Sequence, residues 1–148
     1  MKKLIYIFVA FIACLVFSAN ASAQWTEKTK PADELKGTSE CVVYGYKSPD
    51  GLCVYWNDDN EFHIVTASGI FDYDNRFVRV IIGFYEGDKL VEKRTESFYV
   101  PKGDADTACA FGELGRKIIN HLENKGKVRF IASRYGRSDF DLTVSPRK

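Results

Sequence analysis

The sequence predicts an α+β domain: an antiparallel β-sheet of about seven strands, sandwich- or barrel-like in its closed variant, with one amphipathic helix packed on one face between the fifth and sixth strands. Three observations carry this. Short runs rich in Val, Ile, Tyr and Phe are joined by tight turn signals, which implies antiparallel pairing. Only one substantial stretch repeats its apolar residues at helical spacing: Phe111, Leu114, Ile118 and Leu122 form a single stripe. A helix with one such stripe has to lay it on a sheet face.

The chain opens "MKKLIYIFVAFIACLVFSANASAQ". Lys2 and Lys3 make a positive start, Leu4 to Phe17 an apolar run, and Ala21 to Ala23 an A-x-A cleavage site. Residues 1–23 therefore read as a signal peptide, with a mature start near Gln24 and a periplasmic or secreted destination. The run is shorter than the roughly 20 apolar residues of a membrane span, so no transmembrane segment is expected after cleavage. Phe11-Ile12-Ala13 before Cys14 fits a lipid-attachment site poorly. Removal of two lysines leaves the chain within one charge of neutrality. No polybasic block is present, and no nucleic-acid partner is expected.

Residues 24–40 are polar, with Pro31 and Gly37, and read as an N-terminal arm. The single β-rich domain is placed at 41–148. "CVVYGYK" (41–47) and "LCVYWN" (52–57) flank Ser48-Pro49-Asp50-Gly51, a turn in which proline presets φ and glycine takes the positive φ. With Lys47 facing Leu52, Tyr44, Tyr46 and Tyr55 share one face. A third strand spans 62–67, and "SGIFDYDNR" (68–76) is a short strand or loop. "RFVRVIIGFYE" and "KLVEKRTESFYV" flank Gly87-Asp88. If Tyr85 faces Leu90, the register also opposes Phe84 to Val91, Arg79 to Glu96 and Phe77 to Phe98. Pro101 ends that strand. Asp104 or Asp106 is placed to cap the helix, Gly115 to let it approach a sheet closely, and Gly126 to end it. "KVRFIAS" and "FDLTV" form a last hairpin.

Three cysteines follow the signal segment: Cys41, Cys53 and Cys109. An exported protein meets a compartment that permits disulfides. A cysteine near a helix start is either half of a bridge or a nucleophile. The nucleophile reading needs a base, and only His63 and His121 exist. His121 lies twelve residues along the same helix, about 18 Å away, and no histidine follows the helix. His63 alone remains, on a separate strand. The bridge reading pairs Cys41 with Cys109, with Cys53 as the alternative partner.

"NDDNE" (57–61) and "FDYDNR" (71–76) cluster acids without the spacing of a calcium loop. Asp59 with Asp74 is the one carboxylate pair to consider for glycoside hydrolysis. Two histidines without a Cys-x-x-Cys fail the zinc test, so no metal or cofactor is expected. Tyr44, Tyr46, Tyr55, Ser68, Asp72 and Asp74 form a candidate partner or ligand surface, tyrosine pairing an apolar body with a polar tip. The competing reading puts the three tyrosines in the core. "TASGIFDY" (66–73) resembles the Ser-Ala-Ser-Gly loop of small periplasmic lysozyme inhibitors. That resemblance implies a β-barrel offering Thr66 and Ser68 to an enzyme cleft. Thr66 replaces the first serine, and the helix and last hairpin have no counterpart there. The expectation is a small exported, non-enzymatic binding protein, its partner another exported protein or a cell-envelope glycan. The alternatives are an inhibitor of a secreted hydrolase such as lysozyme, and a cysteine-dependent hydrolase using Cys109 with His63.

Overall fold

The computed structural model describes residues 24–57, 59–66 and 68–147. The expected signal segment at 1–23, Cys14 included, lies outside the described residues. One antiparallel sheet has nine strands: β1 (Gln24–Lys30), β2 (Cys41–Lys47), β3 (Cys53–Asn57), β4 (Phe62–Val65), β5 (Phe77–Glu86), β6 (Lys89–Tyr99), β7 (Thr107–Ala110), β8 (Val128–Ala132) and β9 (Phe140–Val144). Their spatial order is β1-β2-β3-β4-β7-β6-β5-β8-β9. The helix α1 (Gly112–Asn124) joins β7 to β8. Among the described residues no helix is long and apolar enough to cross a membrane.

Two strands exceed the expected count. Gln24–Lys30, read as part of a polar arm, pairs along its whole length with β2. Thr107–Ala110, read with the helix, is a buried strand between β4 and β6. The helix therefore lies between the seventh and eighth strands. Asp104 and Asp106 do not cap it. Its N-cap is Phe111, which makes no side-chain cap bond.

Two registers differ from expectation by one residue. Ser48 N–H donates to the Leu52 carbonyl, and the Ser48 hydroxyl donates to that carbonyl and accepts from the Leu52 N–H, so the first turn is longer and Lys47 faces Cys53. One step of register turns every side chain to the other face. Tyr55 thus points to the opposite side from Tyr44 and Tyr46. In the β5–β6 hairpin Tyr85 faces Leu90 as expected, but a bulge between Phe84 and Tyr85 shifts the rest, so Phe77 faces Tyr99 and Arg79 faces Ser97.

The core lies on one sheet face. Val54, Trp56, Phe62, Ile64, Val80, Ile82, Phe130 and Leu142 alternate inward and pack with Ile118, Ile119 and Leu122 of α1. Gly115 permits the close approach expected of it: a Cβ there would lie 2.1 Å from the Asn60 carbonyl oxygen. Gly126 acts likewise, since a Cβ would meet the Tyr85 carbonyl oxygen at 2.0 Å. Nine strands laid flat would span about 38 Å. Yet the Trp25 indole N–H on β1 donates to the carbonyls of Ser145 and Pro146 beyond β9, each at 3.2 Å. Arg147 completes this clasp over the Tyr44 ring and beside Glu27 and Glu123. The sheet is therefore curled around α1 until its edges meet.

Candidate functional site

The outward face carries the chemistry. Backbone registers align Tyr55, His63, Cys109 and Tyr99 in one row across β3, β4, β7 and β6. The Cys109 Sγ is 2.9 Å from Nδ1 of His63. Glu61 Oε2 lies 3.8 Å from Nε2 of the same ring, ion-pair reach and longer than a direct hydrogen bond. The Tyr55 ring stacks on the imidazole at 4.3 Å with planes 4° apart, and Phe111 meets it edge-on at 6.4 Å.

Electrostatics fix the protonation of the row. Burial pushes the Cys109 thiol well above its ordinary value, and Glu61 and Asp104 add to this. Burial holds the His63 imidazole below its ordinary value despite Glu61. We assign a neutral pair, with the thiol donating to Nδ1 and Nε2–H facing Glu61. The thiol is also sealed: Cys109 is 1% exposed and His63 3%. The triad logic of nucleophile, base and orienting carboxylate is present, but without an open path to sulfur.

No disulfide joins Cys41, Cys53 and Cys109. The expected Cys41–Cys109 bridge is prevented by topology. β3 and β4 stand between β2 and β7, so the backbones are about three strand spacings apart, roughly 14 Å, whereas a bridge needs Cα atoms within about 7 Å. Cys53 lies two spacings from β7, level with Thr107. Its thiol is pushed up by burial to about 11.

The expected tyrosine surface is not one. Tyr46 and Tyr55 are buried, and Tyr44 is half-buried beneath Arg147. Asp59 lies in the turn before β4 and Asp74 in the turn that leads into β5. Among the described residues no group of three or more His, Cys, Asp or Glu is arranged to hold a metal ion.

The structure brings the 68–76 segment against the connection between β8 and β9. Tyr135 N–H donates to the Ile70 carbonyl at 3.0 Å and Asp72 N–H to the Ser133 carbonyl at 3.0 Å. Arg137 reaches the Ser68 hydroxyl at 3.2 Å, and Arg134 reaches Thr66 at 3.2 Å. Asp72 and Asp74 are exposed beside them. Asp74 and Phe77 exchange backbone bonds around Asn75 and Arg76, both at positive φ, so the 68–76 segment ends in a tight turn leading into β5. Tyr135 is 72% exposed and Ile70 44%. Sequence reasoning missed Glu61, Asp104 and Tyr99. Glu61 precedes His63 by two residues, so strand alternation alone puts both on one face.

Comparison with protein-family models, with curated proteins and with solved structures finds no match.

Proposed function

We propose that this chain is a small exported, non-enzymatic binding protein whose partner surface is the ridge formed by residues 68–76 and 133–139. The observation that carries it is the backbone pairing of Ile70 with Tyr135, which holds two exposed apolar side chains among Ser68, Asp72, Arg137 and Asp139 on one ordered surface. Loops positioned by a rigid scaffold are the usual place for recognition. The partner is another exported protein or a cell-envelope glycan. The sealed state of Cys109 disfavours a hydrolase. Inhibition of a secreted lysozyme is the second reading, favoured by the exposed Ser68–Ile70 tip that Arg137 braces.

The test uses the chain from Gln24, insoluble peptidoglycan, a secreted lysozyme, and the double variant Ile70→Ala/Tyr135→Ala. Sedimentation with peptidoglycan, or inhibition of the lysozyme, is expected for the native chain and is lost in the variant at unchanged Tm. A double variant that performs like the native chain overturns the reading. So does peptidoglycan hydrolysis abolished by Cys109→Ala. N-terminal sequencing of the chain recovered outside the cytoplasm tests export, with Gln24 expected first.

A further inference from the structure

β6 is paired on only one side along most of its length. β5 accompanies it from Lys89 to Tyr99, whereas β7 meets it at Tyr99 alone. Among the described residues no strand pairs with the edge of Leu90–Glu96 that faces away from β5. Such an edge presents a row of N–H and C=O groups to any chain that can lie along it. Leu90 and Val91 are 46% and 43% exposed, so this edge is open.

A cleft of about 610 Å³ adjoins it, lined by Phe84, Val91 and Glu92 of the sheet and by Arg116, Lys117 and Asn120 of α1 among others. Val91 and Glu92 are successive residues, which in a plain strand point to opposite faces. Both line the cleft because Val91 is the extra residue of the bulge: Leu90 faces Tyr85, Glu92 faces Phe84, and Val91 faces nothing. A bulge re-aims its side chain. The cleft thus lies at the margin of β6, between that margin and α1.

The charge around it is unbalanced. Lys117 is engaged by Glu92 at 2.7 Å and Arg94 by Glu96 at 2.8 Å. Among the described residues Lys89, Lys93, Arg116 and Lys125 make no ion pair, against two such acids, Glu86 and Glu113. The uncompensated charge is positive.

We propose that the open edge of β6 and its cleft form a second recognition surface, which takes an extended acidic segment of another polypeptide. The segment adds a strand along Leu90–Glu96 through backbone hydrogen bonds. Its alternate side chains enter the cleft, an apolar one against Val91 over the Phe84 ring and acidic ones toward Arg116 and Lys125. Backbone bonds supply affinity and the alternate side chains supply choice. A second copy fits this edge poorly. Two-fold antiparallel pairing centred on Glu92, Lys93, Arg94 or Glu96 sets that charge against its own copy, and pairing centred on Thr95 carries the incoming strand to Tyr99, where β7 already lies. The cleft is at the end of β5, whereas the 68–76 ridge adjoins Phe77 at its start, so the two surfaces can be tested apart.

The probe is a phage-displayed library of random linear peptides, panned on the chain from Gln24. Enriched peptides are expected to be acidic, with an apolar residue alternating with acids. Binding of the synthetic peptides should weaken about tenfold in Arg116→Glu/Lys125→Glu and be unchanged in Ile70→Ala/Tyr135→Ala. Amide exchange of residues 90–96 should slow on binding. N-methylation of the peptide at one alternate set of residues should abolish binding and at the other set leave it, since only alternate amides face a neighbouring strand; this arm needs no variant of the protein. Failure to enrich any peptide overturns the proposal, as does binding that tolerates both methylation sets or ignores the charge reversal. A chain that dimerises without peptide and protects the same amides gives the edge to a second copy and overturns it too. Peptides lost by the Ile70/Tyr135 variant but kept by the Arg116/Lys125 variant belong to the ridge, and they overturn this proposal while supporting the binding reading above.

Discussion

His63 Nδ1 lies 2.9 Å from the Cys109 Sγ and Asp104 adds to the upward shift of the same thiol, yet the two are perturbed in opposite senses: burial lowers the imidazole and raises the carboxyl. Their effects on stability oppose each other over mildly acidic pH. The folded state binds fewer protons at His63 than the unfolded chain, so this stability is present above about 6.5 and is lost as pH falls. Asp104 contributes stability that is full below about 3.9 and is lost as pH rises through about 7. Each slope reaches at most about 1.4 kcal/mol per pH unit. The native chain should show a shallow net dependence between pH 5 and 6.5. His63→Gln should leave a chain that gains stability on acidification, and Asp104→Asn one that loses it. Urea midpoints at three pH values decide this; parallel curves for the two variants would refute the assignment of neutral imidazole and protonated carboxyl.

The thiols should react in two classes. In a chain beginning at Gln24, half-buried Cys41 should be modified quickly by an aromatic disulfide reagent at neutral pH, with Cys53 and Cys109 far slower. All three should react at once in urea. Three fast thiols in the native state would contradict the burial of the Tyr55–His63–Cys109 row.

Gly115→Ala is expected to destabilise although alanine is the better helix former by about 1 kcal/mol. The new Cβ would fall 2.1 Å from the Asn60 carbonyl oxygen, a backbone atom at the end of the turn before β4, so α1 or the turn has to move. The net cost should be about 1–3 kcal/mol by thermal or chemical unfolding. A neutral or stabilising substitution would mean that α1 does not sit this close to the sheet.

Trp25→Ala should cost about 2 kcal/mol, less than a fully buried tryptophan, because Trp25 is only half-buried. The indole packs on Tyr46 and Trp56 at ring distances of 4.9 and 5.0 Å and ties β1 to the segment after β9. Hydrogen exchange should quicken in both β1 and β9, which are far apart in sheet order. Quickening in β1 alone would show that the edges are not clasped.

Antiparallel strands and a single helix were legible because each depends on local periodicity. Val128, Phe130 and Ala132 alternate inward as read, and Ile118 and Leu122 of the helical stripe reach the core. The close approach at Gly115 was legible too, since only a missing side chain explains glycine within such a stripe. Gln24–Lys30 was not. Its polar composition hides an edge strand whose main contributions are a backbone ladder and one tryptophan. Thr107–Ala110 was not, because four small residues next to a helix carry no period of their own. The one-residue errors of register arose at turns, where the Ser48–Leu52 bonds and the bulge at Phe84–Tyr85 are decided by backbone geometry.

By itself the sequence determined which segments pair locally and which faces are greasy, since alternation and helical spacing are properties of neighbours along the chain. Tertiary structure alone decided that β7 slides between β4 and β6, and so set Cys109 against His63 and out of reach of Cys41. That outcome is long-range: it depends on strand order, which hydrogen-bonding backbone supplies and which no short stretch of side chains encodes.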